Sequence, residues 1–276
     1  MSHLLDSPLD SPIHATLAQR RDCLAKMGIH TWVRRAAYRS GTVVEADALP
    51  MPVPPPTPRL VSAEVKPMVA AQKHPSSVNP NDTSTLGWEA LEHAVKHCTA
   101  CPLHHTRTQG VFGVGNRTAE WLIVGEAPGE DEDRQGEPFV GRAGQLLDQM
   151  IRGMGLRREE IYIANVLKSR PPGNRTPAPL ETAACLPYLQ RQIELLEPRI
   201  ILAAGSVAAQ HLLATSLSIG VLRGRLHRYG AQRVPLVATY HPSYLLRSPS
   251  EKRKAWDDLR LAWRIFHSIP PDGQDL

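Results

Sequence analysis

Three short stretches of the chain carry the residue types that chemistry needs. Gly125-Glu126-Ala127-Pro128-Gly129 places a carboxylate among two glycines and a proline. Such a turn is rigid and lets backbone approach a ligand closely. Its acids run on through Glu130, Asp131, Glu132 and Asp133, suited either to a water, a metal or a base, or simply to capping a helix. Asn165 opens a second stretch, ending Ser169-Arg170-Pro171-Pro172-Gly173-Asn174-Arg175. A side-chain amide sets a donor beside an acceptor, the complement of the edge of a base. Lys168, Arg170 and Arg175 around the turn could hold phosphates, unless this is only a basic surface loop. In the third stretch, His241-Pro242-Ser243, the proline fixes an imidazole so that one ring nitrogen can face a developing negative charge. Leu245 and Leu246 beside Arg247 form an apolar tip next to a cation, either a wedge for a base stack or the start of a buried helix. Phe139, one of 3 phenylalanines in the chain, falls in the loop Pro138-Phe139-Val140-Gly141 as a stacking platform or a core plug.

The chain has 4 cysteines. Cys98 and Cys101 form a C-x-x-C pair flanked by His97, His104 and His105, and Cys185 lies farther on. Zinc held by these thiols and a histidine, an iron–sulfur cluster, or plain packing all fit that pattern. Cys23 lies apart, near the N-terminus.

The elements that must position these residues are legible from apolar patterning. Runs of strand length occur at 121–124, 161–166, 200–204 and 234–238, and helical patterns fill 88–97, 143–154, 180–196, 207–214 and 251–267. Strands alternating with helices predict an α/β fold of three layers, α/β/α, around a mainly parallel four-stranded sheet. Sites in such folds gather at the carboxyl ends of the strands, which is where Glu126, Asn165, Gly205 and His241 fall. The compact domain is expected over 86–270, followed by a tail at 271–276. Before it lie a helical arm at 1–39 and a proline-rich linker at 40–85, whose core is Met51-Pro52-Val53-Pro54-Pro55-Pro56. The net charge of +5 suits a polyanionic partner. No apolar run approaches the roughly 20 residues that cross a bilayer, and residues 1–10 carry acids and prolines in place of a basic n-region. A cytoplasmic protein without signal peptide or membrane span is expected.

Taken together and in order, these motifs resemble the family 4 uracil-DNA glycosylases, the iron–sulfur branch of their superfamily, over roughly 91–259. The likeness rests on Cys98-x-x-Cys101-x-Leu103, Gly125-Glu-Ala-Pro-Gly129, Gly136-x-Pro-Phe-Val-Gly-x-Ala-Gly144, the stretch from Asn165 to Arg175, and His241-Pro-Ser-Tyr-Leu-Leu-Arg247. The resemblance implies a repair enzyme that hydrolyses the N-glycosidic bond of uracil in DNA and leaves an abasic site. It implies that Phe139 stacks on uracil, that Asn165 reads its edge beside Ala127, and that His241 stabilises the charge growing on O2. Glu126, with Asn174 or Glu132, would position the attacking water. Arg170, Arg175, Leu245, Leu246 and Arg247 would meet the DNA. It also implies a 4Fe–4S cluster on Cys98, Cys101 and Cys185, but the family's fourth cysteine is replaced by Ser169. An altered or labile cluster follows as the expectation.

Gln19-Arg20-Arg21-Asp22 through Trp32-x-Arg34-Arg35 looks like the N-terminal peptide of the psi subunit of the bacterial DNA polymerase III clamp loader, which docks on the chi subunit. The chi subunit is therefore the expected partner of the arm, and a monomer suffices for the rest. The competing readings are a replisome-tethered scaffold whose glycosylase fold is weakly active or inactive, and a zinc-stabilised nucleic-acid module.

Overall fold

The computed structural model describes residues 83–269 and, before them, Ala25 alone. The arm, the linker core, Cys23 and the tail lie outside the described residues. In chain order the elements are α1 (Trp88–Lys96), β1 (Val114–Gly115), β2 (Trp121–Gly125), α2 (Glu130–Gln135), α3 (Arg142–Gly153), β3 (Tyr162–Asn165), α4 (Pro179–Leu196), β4 (Ile200–Ala204), α5 (Ser206–Leu212), α6 (Ile219–Leu222), β5 (Leu226–Tyr229), β6 (Val234–Thr239), α7 (Pro242–Arg247) and α8 (Lys252–Ser268).

The strands form one sheet in the order β1-β3-β2-β4-β6-β5. Its centre is parallel, β3 with β2, β2 with β4 and β4 with β6. Every residue of β2 and of β4 is buried, as expected where helices cover both faces of a parallel sheet. Alternate residues divide between those faces. Leu122, Val124, Ile201 and Ala203 pack with Cys185, Leu189 and Ile193 of α4 and with Ala208 and Leu212 of α5. Trp121, Ile123, Ile200 and Leu202 pack with Leu147, Met150 and Ile151 of α3 and with Ala255 and Leu259 of α8. The three layers and the four parallel strands are those read from the sequence.

Two antiparallel edge strands, β1 on β3 and β5 on β6, extend the expected four-stranded sheet to six. They escape the sequence pattern for a physical reason. β1 has only 2 residues, and β5, Leu-His-Arg-Tyr, alternates between exposed and partly buried positions. Edges are kept short and charged because unpaired backbone there invites pairing with other chains.

The register brings the strand ends level. Gly125 pairs with Asn165, and Ala204 with Thr239. From β2 the chain next joins the sheet at β3, on one side, while from β4 it crosses to the other side, entering at the edge strand β5 and returning as β6 beside β4. That switch point opens a crevice at the carboxyl ends of β2 and β4.

Candidate active site

A cleft of about 930 Å³ occupies this crevice, lined by the loops after β2, β3, β4 and β6. Asn165 stands at the end of β3 with 2% exposure, and its Oδ1 has no hydrogen-bond partner. A buried acceptor left unmet is costly, so this amide is set for a ligand that supplies a donor. Gly125 leaves the space in front of it. A methyl group there would overlap both Asn165 Oδ1 and the Phe139 ring, so glycine is what keeps the slot open.

Phe139 closes one wall, buried at 6% exposure. Its backbone has φ of 56°, a left-handed conformation that an aromatic residue adopts only under constraint. Glu132 supplies that constraint. Its Oε1 accepts the N–H groups of Val140 and Gly141, each at 3.0 Å, and its Oε2 accepts that of Gly129 at 3.0 Å. One carboxylate thus ties the loop after β2 to the loop carrying Phe139. Glu132, which also lines the cleft, is therefore engaged as a clamp.

His241 faces Phe139, ring centroids 5.4 Å apart and planes 28° from parallel. Its Nδ1 accepts the Ser243 backbone N–H at 3.1 Å and lies 2.8 Å from Ser243 Oγ. A neutral imidazole with Nδ1 accepting carries its proton on Nε2. Burial, with a smaller contribution from the Arg247 charge, pushes the imidazole down to about 4. Gly205, at φ +102°, brings the loop after β4 close, so that even a methyl group there would sit 3.0 Å from His241 Cβ. Beneath the loop, Asp258 accepts from Thr239 Oγ1 at 2.9 Å and pairs with Arg223 at 2.8 Å, pinning the end of β6 to α8.

Glu126 and Ala127 line the same cleft, partly buried. Desolvation raises the Glu126 carboxyl above the usual carboxylate range. Asn174 lies on the rim, exposed, with its Oδ1 taken by Arg170 Nε at 2.8 Å. Arg170 also reaches Glu130 at 3.4 Å. Arg175 directs both terminal nitrogens to Glu181, at 2.6 and 2.9 Å, and so holds the start of α4.

Two expectations are corrected here. Leu245 is fully buried on the α3 and α8 side of the sheet, so it cannot enter a base stack. Successive helical residues point about 100° apart, as the 3.6-residue period requires, and it is Leu246 that turns outward, at 36% exposure. Lys168, read as a phosphate contact, is 1% exposed and belongs to the interior. Tyr244 was missed. It lines the cleft at 36% exposure, its ring 5.0 Å from that of Tyr240, and an aromatic within His-Pro-Ser-Tyr was the available signal. Arg247 is exposed on the cleft wall.

Cys185 and Cys101 pack on the α4 face of the sheet, whereas Phe139 packs on the α3 face, and Cys98 packs against Leu91, Val95, Phe112 and Tyr188. Cys185 is buried, and Cys98 and Cys101 are partly so. The Cys185 thiol hydrogen-bonds to Cys101, which holds Cys101 down at about 6 and raises Cys185, with burial adding to the latter. Ser169 is 3% exposed, and its Oγ accepts from Arg107 at 2.8 Å, whose other terminal nitrogen donates to the carbonyls of Cys98 and Lys96 at 2.8 and 3.0 Å. Among the described residues no group of three or more His, Cys, Asp or Glu is gathered as metal ligands.

Residues 112–260 match the model of the uracil DNA glycosylase superfamily. The chain belongs to that superfamily. Within it, the chain is 48% identical over 166 residues to the type-4 uracil-DNA glycosylase of Thermotoga maritima, covering 59% of this chain and 85% of the relative. It is 43% identical over 182 residues to that of Archaeoglobus fulgidus, covering 62% and 91%. A type-5 uracil-DNA glycosylase from Pyrobaculum aerophilum is more distant, 28% identical over 146 residues. The superfamily match begins at Phe112 and ends at Arg260, and so contains all four cleft loops. No helix among the described residues is long and apolar enough to cross a membrane.

Proposed function

We propose that this protein hydrolyses the N-glycosidic bond of uracil in DNA. The observation that carries the reading is the unpartnered Oδ1 of Asn165, buried behind the slot that Gly125 leaves open and walled by Phe139. Uracil N3–H donates to that oxygen, and uracil O4 accepts from the amide nitrogen. Phe139 covers a face of the ring. His241, neutral and with its proton on Nε2, donates to O2 as negative charge accumulates there. A neutral donor preset toward the developing anion acts mainly in the transition state. The sugar becomes oxocarbenium-like as the base departs, so a weakly nucleophilic water suffices. Glu126, a carboxylate at the mouth, orients that water, with Asn174 on the rim as the weaker candidate. Arg170, Leu246 and Arg247 meet the DNA around the opening, and Arg175 contributes by holding its loop.

A uracil-bearing oligonucleotide incubated with the protein and then treated with alkali tests this reading. Strand cleavage at the uracil is the expected outcome. An intact strand, where a known glycosylase completes the reaction, would remove it.

The cysteine region does not fit a four-thiolate iron–sulfur cluster. Cys98, Cys101 and Cys185 supply three thiols, and the fourth corner is a serine hydroxyl already bound by Arg107. A cluster on this donor set would be incomplete or labile, and the steps at the cleft use none of these groups. For the arm, the likeness of Gln19 to Arg35 to the psi peptide supports the chi subunit as partner. Tethering at the replisome would raise the local concentration of enzyme on new DNA.

A further inference from the structure

Behind the wall that carries Asn165 lies a polar cluster that the chemistry above leaves unused. Lys168 Nζ donates to the Asn165 carbonyl at 2.9 Å, to the Phe112 carbonyl at 3.2 Å and to Gln192 Oε1 at 2.5 Å. Gln192 is 0% exposed, and its Nε2 donates to the Phe112 carbonyl at 2.9 Å and to the Tyr162 hydroxyl at 3.2 Å. Three acceptors use all three donors of an ammonium group, and each of these acceptors is neutral. Burial pushes the Lys168 amine down to about 7, and a buried lysine without a carboxylate is an expensive way to fill a core, since apolar side chains of the same volume do so at lower cost. What such a network gives in return is a unique arrangement of the backbone it holds.

Here it holds the strand end on which recognition depends. The parallel ladder fixes Asn165 against Gly125 from one side, and the ammonium fixes its carbonyl from within. We propose that Lys168 is a positioning residue for base recognition. Through Gln192 it locks the Asn165 backbone to α4 and to the segment before β1, so that the side-chain amide faces the slot at one fixed angle. Recognition by paired hydrogen bonds tolerates displacements of only about 0.5 Å and about 10–20°, so loosening this anchor degrades binding of the base before it degrades binding of DNA. The proposal rests on the assignment of Asn165 to the uracil edge.

Two variants of the full chain, Lys168→Met and Gln192→Leu, break the cluster from different ends, and either one that folds decides the question. Inhibition by free uracil reads the slot, and affinity for DNA containing a stable abasic-site analogue reads the rest of the surface. The expected result is a uracil inhibition constant raised at least about 10-fold, equivalent to about 1.4 kcal/mol, with abasic-site affinity within about 2-fold of wild type. A merely structural role would move both together, and parallel losses would overturn the proposal, as would unchanged uracil inhibition. Asn165→Ala, measured beside them, separates the two levels of the claim. If it too leaves uracil inhibition unchanged, the assignment of Asn165 falls and the proposal with it. If it weakens uracil while the other variants do not, only the positioning role falls.

Discussion

Replacing His241 with alanine removes the neutral donor that the cleft aims at O2 of the departing base. Because Ser243 N–H occupies Nδ1 at 3.1 Å, the remaining ring proton is fixed on Nε2. Because the imidazole is pushed down to about 4, it is neutral throughout the range from pH 6 to 8, so the group acts as a hydrogen-bond donor and not as a cation. Loss of one preorganised donor of this kind costs about 10²–10³ in kcat, or roughly 2.7–4 kcal/mol. Single-turnover excision from a single-stranded uracil oligonucleotide, with saturating protein, reads the chemical step directly. His241→Ala should fall by that factor while its affinity for abasic-site DNA stays within about 3-fold of wild type. The same depressed imidazole makes a stability statement. A histidine whose folded value lies below its unfolded value of about 6.5 contributes stability that is full above pH 6.5 and lost as pH falls toward about 4. Denaturant titrations of wild type should therefore lose on the order of 3 kcal/mol more over that window than those of His241→Ala. An excision rate for His241→Ala within about 3-fold of wild type would refute the assigned role.

Other perturbations follow from the same geometry. Gly125→Ala puts a methyl group onto Asn165 Oδ1 and Phe139, and overpacking of about 1–3 kcal/mol should appear as weakened inhibition by free uracil, which a competition assay measures. Leu245→Ala should destabilise the fold by about 2–5 kcal/mol in chemical denaturation, whereas Leu246→Ala should leave stability within about 0.5 kcal/mol and selectively slow excision from duplex DNA. Asp258→Ala strands Arg223 without its buried partner and should cost about 3–5 kcal/mol. Ser169→Cys completes a set of four thiols, and iron and sulfide analysis should show a rise over wild type; a full 4Fe–4S complement already in wild type would contradict the reading of Ser169.

The parallel core was legible because each of its strands is an apolar run buried on both faces, a pattern that solvated elements do not produce. Gly125, Asn165 and His241 could be placed from sequence since each directly follows or ends such a run. The edge strands could not, as β1 is only Val114 and Gly115 and β5, Leu-His-Arg-Tyr, has no fully buried position to give it an apolar run. Leu245 and Leu246 are adjacent in sequence, and only the phase of α7 decides which one is core. Glu132 sits in a run of acids, and nothing local distinguishes the residue that closes back onto Gly129, Val140 and Gly141 from its neighbours. Lys168 was misread for a related reason. Charge suggests a surface, while its three acceptors come from segments far apart in the chain, Phe112, Asn165 and Gln192.

The most direct measurement is the identity of the free base released from DNA by the wild-type protein and by Asn165→Ala, followed by mass spectrometry from oligonucleotides carrying a single uracil. The expected result is uracil released over many turnovers by wild type and a loss of at least about 100-fold in the variant, the scale on which a site built to hydrogen-bond its substrate depends on those bonds. Undiminished uracil release by Asn165→Ala would place the chemistry outside this cleft, and no release by wild type would contradict the proposed activity itself.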